Sequence, residues 1–365
     1  MISLFSLYCY IVNGAAIVLN VLMVFLTSLK NIEIYRELRY FLSNIAATGC
    51  VFSSCVLVLQ FQIVTRGSMT IRVPYGPALH LPDSALKFIS SLAVIAYMYA
   101  TLCFPFFFFY RALLFKNSTT FGQFFTSRVL IVIFFVIFVL SCVEGAFFYF
   151  ANVGYVDLYD RLNRTSDVLF YLEGRKNESE GPKFLNMDFM TTTHVPNYNV
   201  SGAFDGPTPV RVGLIGDDYT KNPLVLYFYG LAAVTHAIAY IVILASSHSI
   251  LKSLERKKSS MSHDTFLAME ILVHAVFMQS FIPLLSSIPV ASNSALAFFY
   301  ENSLEWQEYF TTIFISMVPL LSPLCSILFI DAYRNAVLGF LTFAKYRNAK
   351  KDAAKKAEEK AEENL

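Results

Sequence analysis

Between Lys87 and Arg111 the chain reads FISSLAVIAYMYATLCFPFFFFY, Phe88–Tyr110, without one charged side chain. A hydrocarbon core about 30 Å thick needs roughly 20 apolar helical residues to cross it, so this stretch is long enough to span a bilayer. Its apolar residues cover every face of a helix, which suits lipid better than a soluble core. The pattern recurs. Met1–Leu29 precedes the first charge, Lys30; Tyr40–Thr65 lies between Arg39 and Arg66; Val129–Val156 carries only Glu144. Asn222–Leu251, Thr265–Tyr300 with Glu270 near its start, and Tyr309–Ile330 complete the set. Together they predict an all-α membrane protein, a seven-transmembrane helix bundle. Its expected spans are about 4–29, 40–65, 88–110, 129–154, 223–251, 265–290 and 309–330, within one domain over 1–340. Met1–Leu29 lacks a basic start and is too long for a cleaved signal, so it is read as the first span.

Composition agrees. Of 365 residues, 56% are hydrophobic and only 15% charged, against about 25% charged in an ordinary soluble domain. So apolar a chain is not intrinsically disordered. A net charge of +2 gives no global field for nucleic acid.

Lys and Arg set the orientation. With the N-terminus outside, the inner segments hold Lys30, Arg36 and Arg39; Arg111, Lys116 and Arg128; Lys252, Arg256, Lys257 and Lys258; and every base from Arg334 onward. The short outer loops hold only Arg66, Arg72 and Lys87. The C-terminus is therefore expected in the cytosol. The long polar loop 157–221 then faces outward, with three glycosylation sequons at Asn163, Asn177 and Asn199. It either caps a binding site or forms a flexible glycosylated shield. After the seventh span, Val337, Leu338, Phe340, Leu341 and Phe343 share one side of a short helix, followed by Lys345 and Arg347. That pattern predicts a short interfacial helix on the inner leaflet. A cytoplasmic tail of basic and acidic residues follows over 341–365.

Catalytic and metal-binding patterns are missing, so no enzyme activity, cofactor or metal is expected. All six cysteines lie inside expected spans and read as packing residues. Polar side chains within the spans are more telling, because at that depth they tend to face a bundle interior. Glu144, His236 and Gln279 are such residues, and Glu270 and His274 share one helical face. Pro105, Pro283, Pro289, Pro319 and Pro323 interrupt three spans and predict kinks.

Several strings resemble one family. Gln62-Ile63-Val64 and Arg72-Val73-Pro74-Tyr75-Gly76-Pro77 lead into a third span ending Phe109-Tyr110-Arg111. The sixth span contains Phe277-Met278-Gln279-Ser280-Phe281-Ile282-Pro283; the seventh closes Leu321-Ser322-Pro323-Leu324, then Ile330-Asp331-Ala332-Tyr333-Arg334. In order and spacing these resemble the nematode chemosensory seven-helix receptors of the Str superfamily, serpentine receptor class delta in particular. The resemblance implies a GPCR-like bundle in the plasma membrane of sensory neuron cilia. Its implied partners are a small-molecule ligand, a heterotrimeric G protein and the lipid bilayer. Such receptors often carry a Cys just after Gly-Pro, where Ala78 stands here. The outer halves of the third, fifth, sixth and seventh spans are expected to enclose a pocket with Tyr97, His236, Gln279 and Thr312 as polar contacts. Tyr110, Arg111, Arg256, Lys257, Lys258, Tyr333 and Arg334 are expected to face the G protein. The rival reading is a multi-pass transporter or ligand-gated channel with no G-protein coupling.

Overall fold

The computed structural model describes residues 4–29, 36–66, 68–116, 127–154, 215–258, 305–330 and 332–339, together with 262, 266–267, 270, 273, 277–278, 281–282, 287–289, 291–292 and 342. Six helices among them are long and apolar enough to cross a membrane. They are α1 (Leu4–Ser28), α2 (Arg36–Leu59), α3 (Asp83–Lys116), α4 (Ser127–Ala151), α5 (Pro223–Lys257) and α6 (Glu305–Phe329). The expected sixth span, 265–290, lies mostly outside the described residues, so α6 is the seventh span. Every described position from 266 to 292 is nonetheless helical, and Val273 and Ile282 there are buried. The molecule is a seven-span helical bundle. α1 packs on α2 and α6, and α3 packs on α2, α4 and α5.

Outward faces are apolar, as lipid requires: Ile11 and Val18 on α1, Ile131 and Phe135 on α4, and Ile238 and Ile241 on α5 are all exposed. Inside, small residues let helices approach. A Cβ on Gly145 of α4 would sit 2.3 Å from Ile95 Cγ1 of α3, so only glycine fits that crossing. Pro323 in α6 has no N–H for the carbonyl of Pro319. Asn20 Nδ2 of α1 donates to that carbonyl at 2.7 Å, satisfying it from a neighbouring helix. A side chain on Gly49 of α2 would meet Asn20 Oδ1 at 2.7 Å, so this glycine leaves room for the asparagine.

The helices share their end with a four-stranded sheet, which the all-helical reading did not include. Its strands are β1 (Phe61–Arg66), β2 (Met69–Pro74), β3 (Val153–Gly154) and β4 (Ile215–Asp218), in the order β1-β2-β4-β3 with antiparallel neighbours. Two expected boundaries change accordingly. The second span was expected to run to Thr65, but α2 ends at Leu59 and Phe61–Arg66 is strand. Gln60 between them has φ 45°, a left-handed conformation that stops a helix. Its side chain is held there by donation from Ser6 Oγ at 2.6 Å and by its own Nε2 donating to the Leu57 carbonyl at 2.9 Å. The loop expected over 157–221 includes β4, and with β3 at its other end both ends of that loop are joined in the sheet. Gly76, in the Tyr-Gly-Pro turn, passes so close to α2 that a Cβ would lie 2.4 Å from the Val58 carbonyl.

At the opposite end the core is aromatic: Phe41, Phe104, Phe107, Phe108 and Tyr333 pack in one buried cluster with Met23, Leu26 and Leu254. Residues 332–339 form a helical stretch beyond α6, and Tyr333 within it is wholly buried.

Candidate functional site

Tyr97 and His236 meet between α3 and α5. Their rings stack with centroids 5.8 Å apart and planes at 26°. The Tyr97 hydroxyl also lies 3.2 Å from Ser287 Oγ, a described position of the sixth span. His236 Nδ1 is 2.7 Å from the Ala232 carbonyl. A carbonyl only accepts, so Nδ1 carries the proton and the neutral ring leaves Nε2 as an acceptor. Nε2 is buried without a partner, as is the Tyr240 hydroxyl one helical turn further along α5. Residues four apart share a helical face. The cluster therefore presents a buried acceptor and a buried hydroxyl side by side, against the Tyr97 ring.

Other unpartnered polar atoms are buried elsewhere, among them Asn13 Oδ1, Ser53 Oγ and the Tyr333 hydroxyl. Among the described residues, only His236 and Tyr240 carry such atoms one turn apart on the same helix. Glu144 of α4 is buried too; its Oε1 accepts from Thr235 Oγ1 of α5 at 2.8 Å, while Oε2 has no partner.

Thr312, expected with Tyr97 and His236, is engaged with the sheet. Its Oγ1 donates to the Phe61 carbonyl at 2.5 Å, tying α6 to the first residue of β1. Around it is a polar group that the sequence reading missed. Gln62 Nε2 donates to Glu308 Oε2, and Tyr75 donates to Gln62 Oε1 at 2.7 Å. Phe5 of α1 packs edge-on against Tyr75 and Tyr309. Across the sheet, Arg72 of β2 forms a buried ion pair with Asp217 of β4 at 2.7 Å. It also donates to Asn152 Oδ1 at 2.7 Å and to the Tyr229 hydroxyl at 3.4 Å, over the Phe148 ring. Burial works against the Arg72 charge, but Asp217 beside it outweighs this and holds the guanidinium above the usual arginine value. Burial raises the Asp217 carboxyl above the usual carboxylate range, against the pull of Arg72. No local pattern foretold the pairing, since Arg72 and Asp217 stand in segments far apart along the chain.

At the opposite end, Tyr110 is buried and stacks on Phe106. Arg256 is exposed, Lys258 Nζ lies 5.2 Å above the Phe266 ring, and Arg334 Nη1 donates to the Leu328 carbonyl at 3.3 Å. Tyr333 faces the core rather than a partner surface. Gln279, the side chains of Arg111 and Lys257, and the sequons at Asn163, Asn177 and Asn199 lie outside the described residues.

Six described membrane-length helices, helical positions of a further span and a sheet across one end define a multi-pass membrane protein. The family described as serpentine type 7TM GPCR chemoreceptor Srd matches residues 5–161 and 181–339, and the chain belongs to that family. Among curated proteins no match was found.

Proposed function

We propose that the chain is a G-protein-coupled chemosensory receptor of the plasma membrane, binding a small chemical between α3 and α5. In this reading the sheet end and N-terminus face outward and the basic end faces the cytosol, in keeping with the bias of Lys and Arg. The observation that carries it is the pair of unpartnered buried groups, His236 Nε2 and the Tyr240 hydroxyl, beside Tyr97. A buried polar atom without a partner costs free energy, about 1–3 kcal/mol, and a ligand supplying the missing hydrogen bonds recovers it. Ligand binding activates by favouring the state whose inner ends receive the G protein. Arg111, Arg256, Lys257, Lys258 and Arg334 supply charge for that contact. Sensory cilia are the proposed location, by analogy with the family.

The experiment is a screen of cells expressing the receptor and a G protein, with calcium imaging against volatile and water-soluble chemicals. A hit whose response is lost in His236→Ala and in Arg111→Ala supports both the pocket and the coupling. Current or ion-coupled uptake persisting without any G protein would instead establish the channel or transporter reading.

A further inference from the structure

We infer that the ligand is a bilayer-partitioning molecule, apolar apart from one hydroxyl, that reaches His236 and Tyr240 from the lipid rather than from the outside water. This rests on the receptor reading above and adds to it a ligand class and a route. The sheet lies across the proposed outer end of the bundle and is fastened on every side that its hydrogen bonds define. Glu308 and Thr312 hold β1 to α6, and Ser6 holds the α2–β1 junction to α1. Arg72 holds β2 to Tyr229 of α5 and to Asn152 just beyond α4. All four residues of β4 are buried. Successive strand residues face opposite sides, so β4 is covered on both faces. A polar solute passing between β2 and β4 would have to part Arg72 from Asp217 and leave two buried charges uncompensated.

Among the described residues, the lipid side of α5 presents no ion pair or strand to part. His236 and Tyr240 cover their polar atoms but leave part of each ring exposed, and Val234, Ile238 and Ile241 beside them on α5 are exposed apolar side chains. An apolar molecule already dissolved in the bilayer meets this surface without leaving hydrocarbon. The polar requirement is narrow. Nε2 only accepts in the tautomer that the Ala232 carbonyl selects, while the tyrosine hydroxyl can donate. A ligand hydroxyl answers both, donating to His236 and accepting from Tyr240.

The route is tested without knowing the ligand. Full-length receptor carrying Tyr240→Cys is treated in intact cells with two thiol reagents. One is the permanently charged (2-trimethylammonium)ethyl methanethiosulfonate; the other is uncharged benzyl methanethiosulfonate. Modification is read from the mass of the peptide bearing position 240, so the six native cysteines do not interfere. Rates are normalised to Lys221→Cys, an exposed turn beside β4. The charged reagent must pay to enter hydrocarbon, so the benzyl reagent is expected to react at position 240 at least about tenfold faster. Adding Arg72→Ala should restore the charged reagent's access. Comparable normalised rates for the two reagents would overturn the proposal, because the mouth would then be open to water. Modification by neither would overturn it equally, since lipid would offer no route. Should Tyr240→Cys not reach the surface, His236→Cys gives the same readout. Failure of the charged reagent at Lys221→Cys itself would overturn the outward orientation. The labelling needs neither agonist nor G protein, so its outcome and that of the receptor screen are separable.

Discussion

The sheet end and the α3–α5 cluster treat buried polarity in opposite ways. In the sheet, Arg72 has a carboxylate, an amide oxygen and a phenol around its guanidinium, and Gln62 is bonded at both ends of its amide. Between α3 and α5, His236 and Tyr240 each bury a polar atom with nothing to meet it. Paired groups fix geometry, whereas unpaired ones hold binding free energy in reserve. The first region therefore reads as a fastening, and the second as a place where a ligand completes the hydrogen bonding. Substitutions should separate the two, costing stability in one and response in the other.

The largest effect is expected at the ion pair. Arg72→Ala or Asp217→Ala strands a buried charge, a change that costs about 3–5 kcal/mol. Thermal unfolding of detergent-solubilised receptor should show a Tm fall of several degrees for each. Replacing both residues together by leucine should recover much of it, because apolar pairs often substitute for buried ion pairs without loss. Single variants as stable as wild type would show that the sheet is not fastened there. Asn20→Ala comes next. It leaves the Pro319 carbonyl unpaired between α1 and α6, at a cost of about 1–3 kcal/mol. Gly49→Ala should share that loss, since its methyl collides with the asparagine oxygen. An additive double variant would deny that the two residues act at one point.

Legibility in the sequence follows the same division. The helices were readable because uninterrupted apolar runs bounded by Lys and Arg permit little else; α1, α4 and the seventh span fall within a few residues of their expected limits. The sheet was not. Phe61–Arg66 continues the apolar run of α2, and only the left-handed Gln60, pinned by Ser6 from another helix, breaks it. A residue's partner across space has no local signature. Of the residues expected to line a pocket, Tyr97 and His236 stack on each other; polar groups at depth are costly and therefore conspicuous in a sequence. Tyr240 was passed over because a tyrosine in an aromatic-rich span looks like packing. The partner of Thr312 has no local signature either: its hydroxyl serves the backbone of a strand that an all-helical pattern does not contain.

Two smaller effects sharpen the contrast. Tyr240→Phe removes a hydroxyl that has no partner, so Tm should hold or rise slightly, while the response to a hydroxyl-bearing agonist weakens about tenfold, the equivalent of one hydrogen bond. Thr312→Val should do the reverse, costing about 1 kcal/mol of stability with the agonist response kept. A Tm loss in Tyr240→Phe matching that of Thr312→Val would mean that the tyrosine is already bonded and the cluster is structural.

The smallest effect concerns pH. Burial holds the Asp217 carboxyl above the ordinary carboxylate range, so the folded chain binds that proton more tightly than the unfolded one, where aspartate titrates near ~3.9. A raised folded pKa contributes stability that is fully present below the unfolded value and is lost as pH rises through the folded one. Wild type should therefore gain Tm relative to Asp217→Asn as detergent samples are taken from neutral pH toward the carboxylate range. The variant lacks the titrating group but keeps the shape. A gap that narrows on acidification would show the opposite sign, with the Arg72 charge outweighing burial and the sheet held by a fully ionised pair.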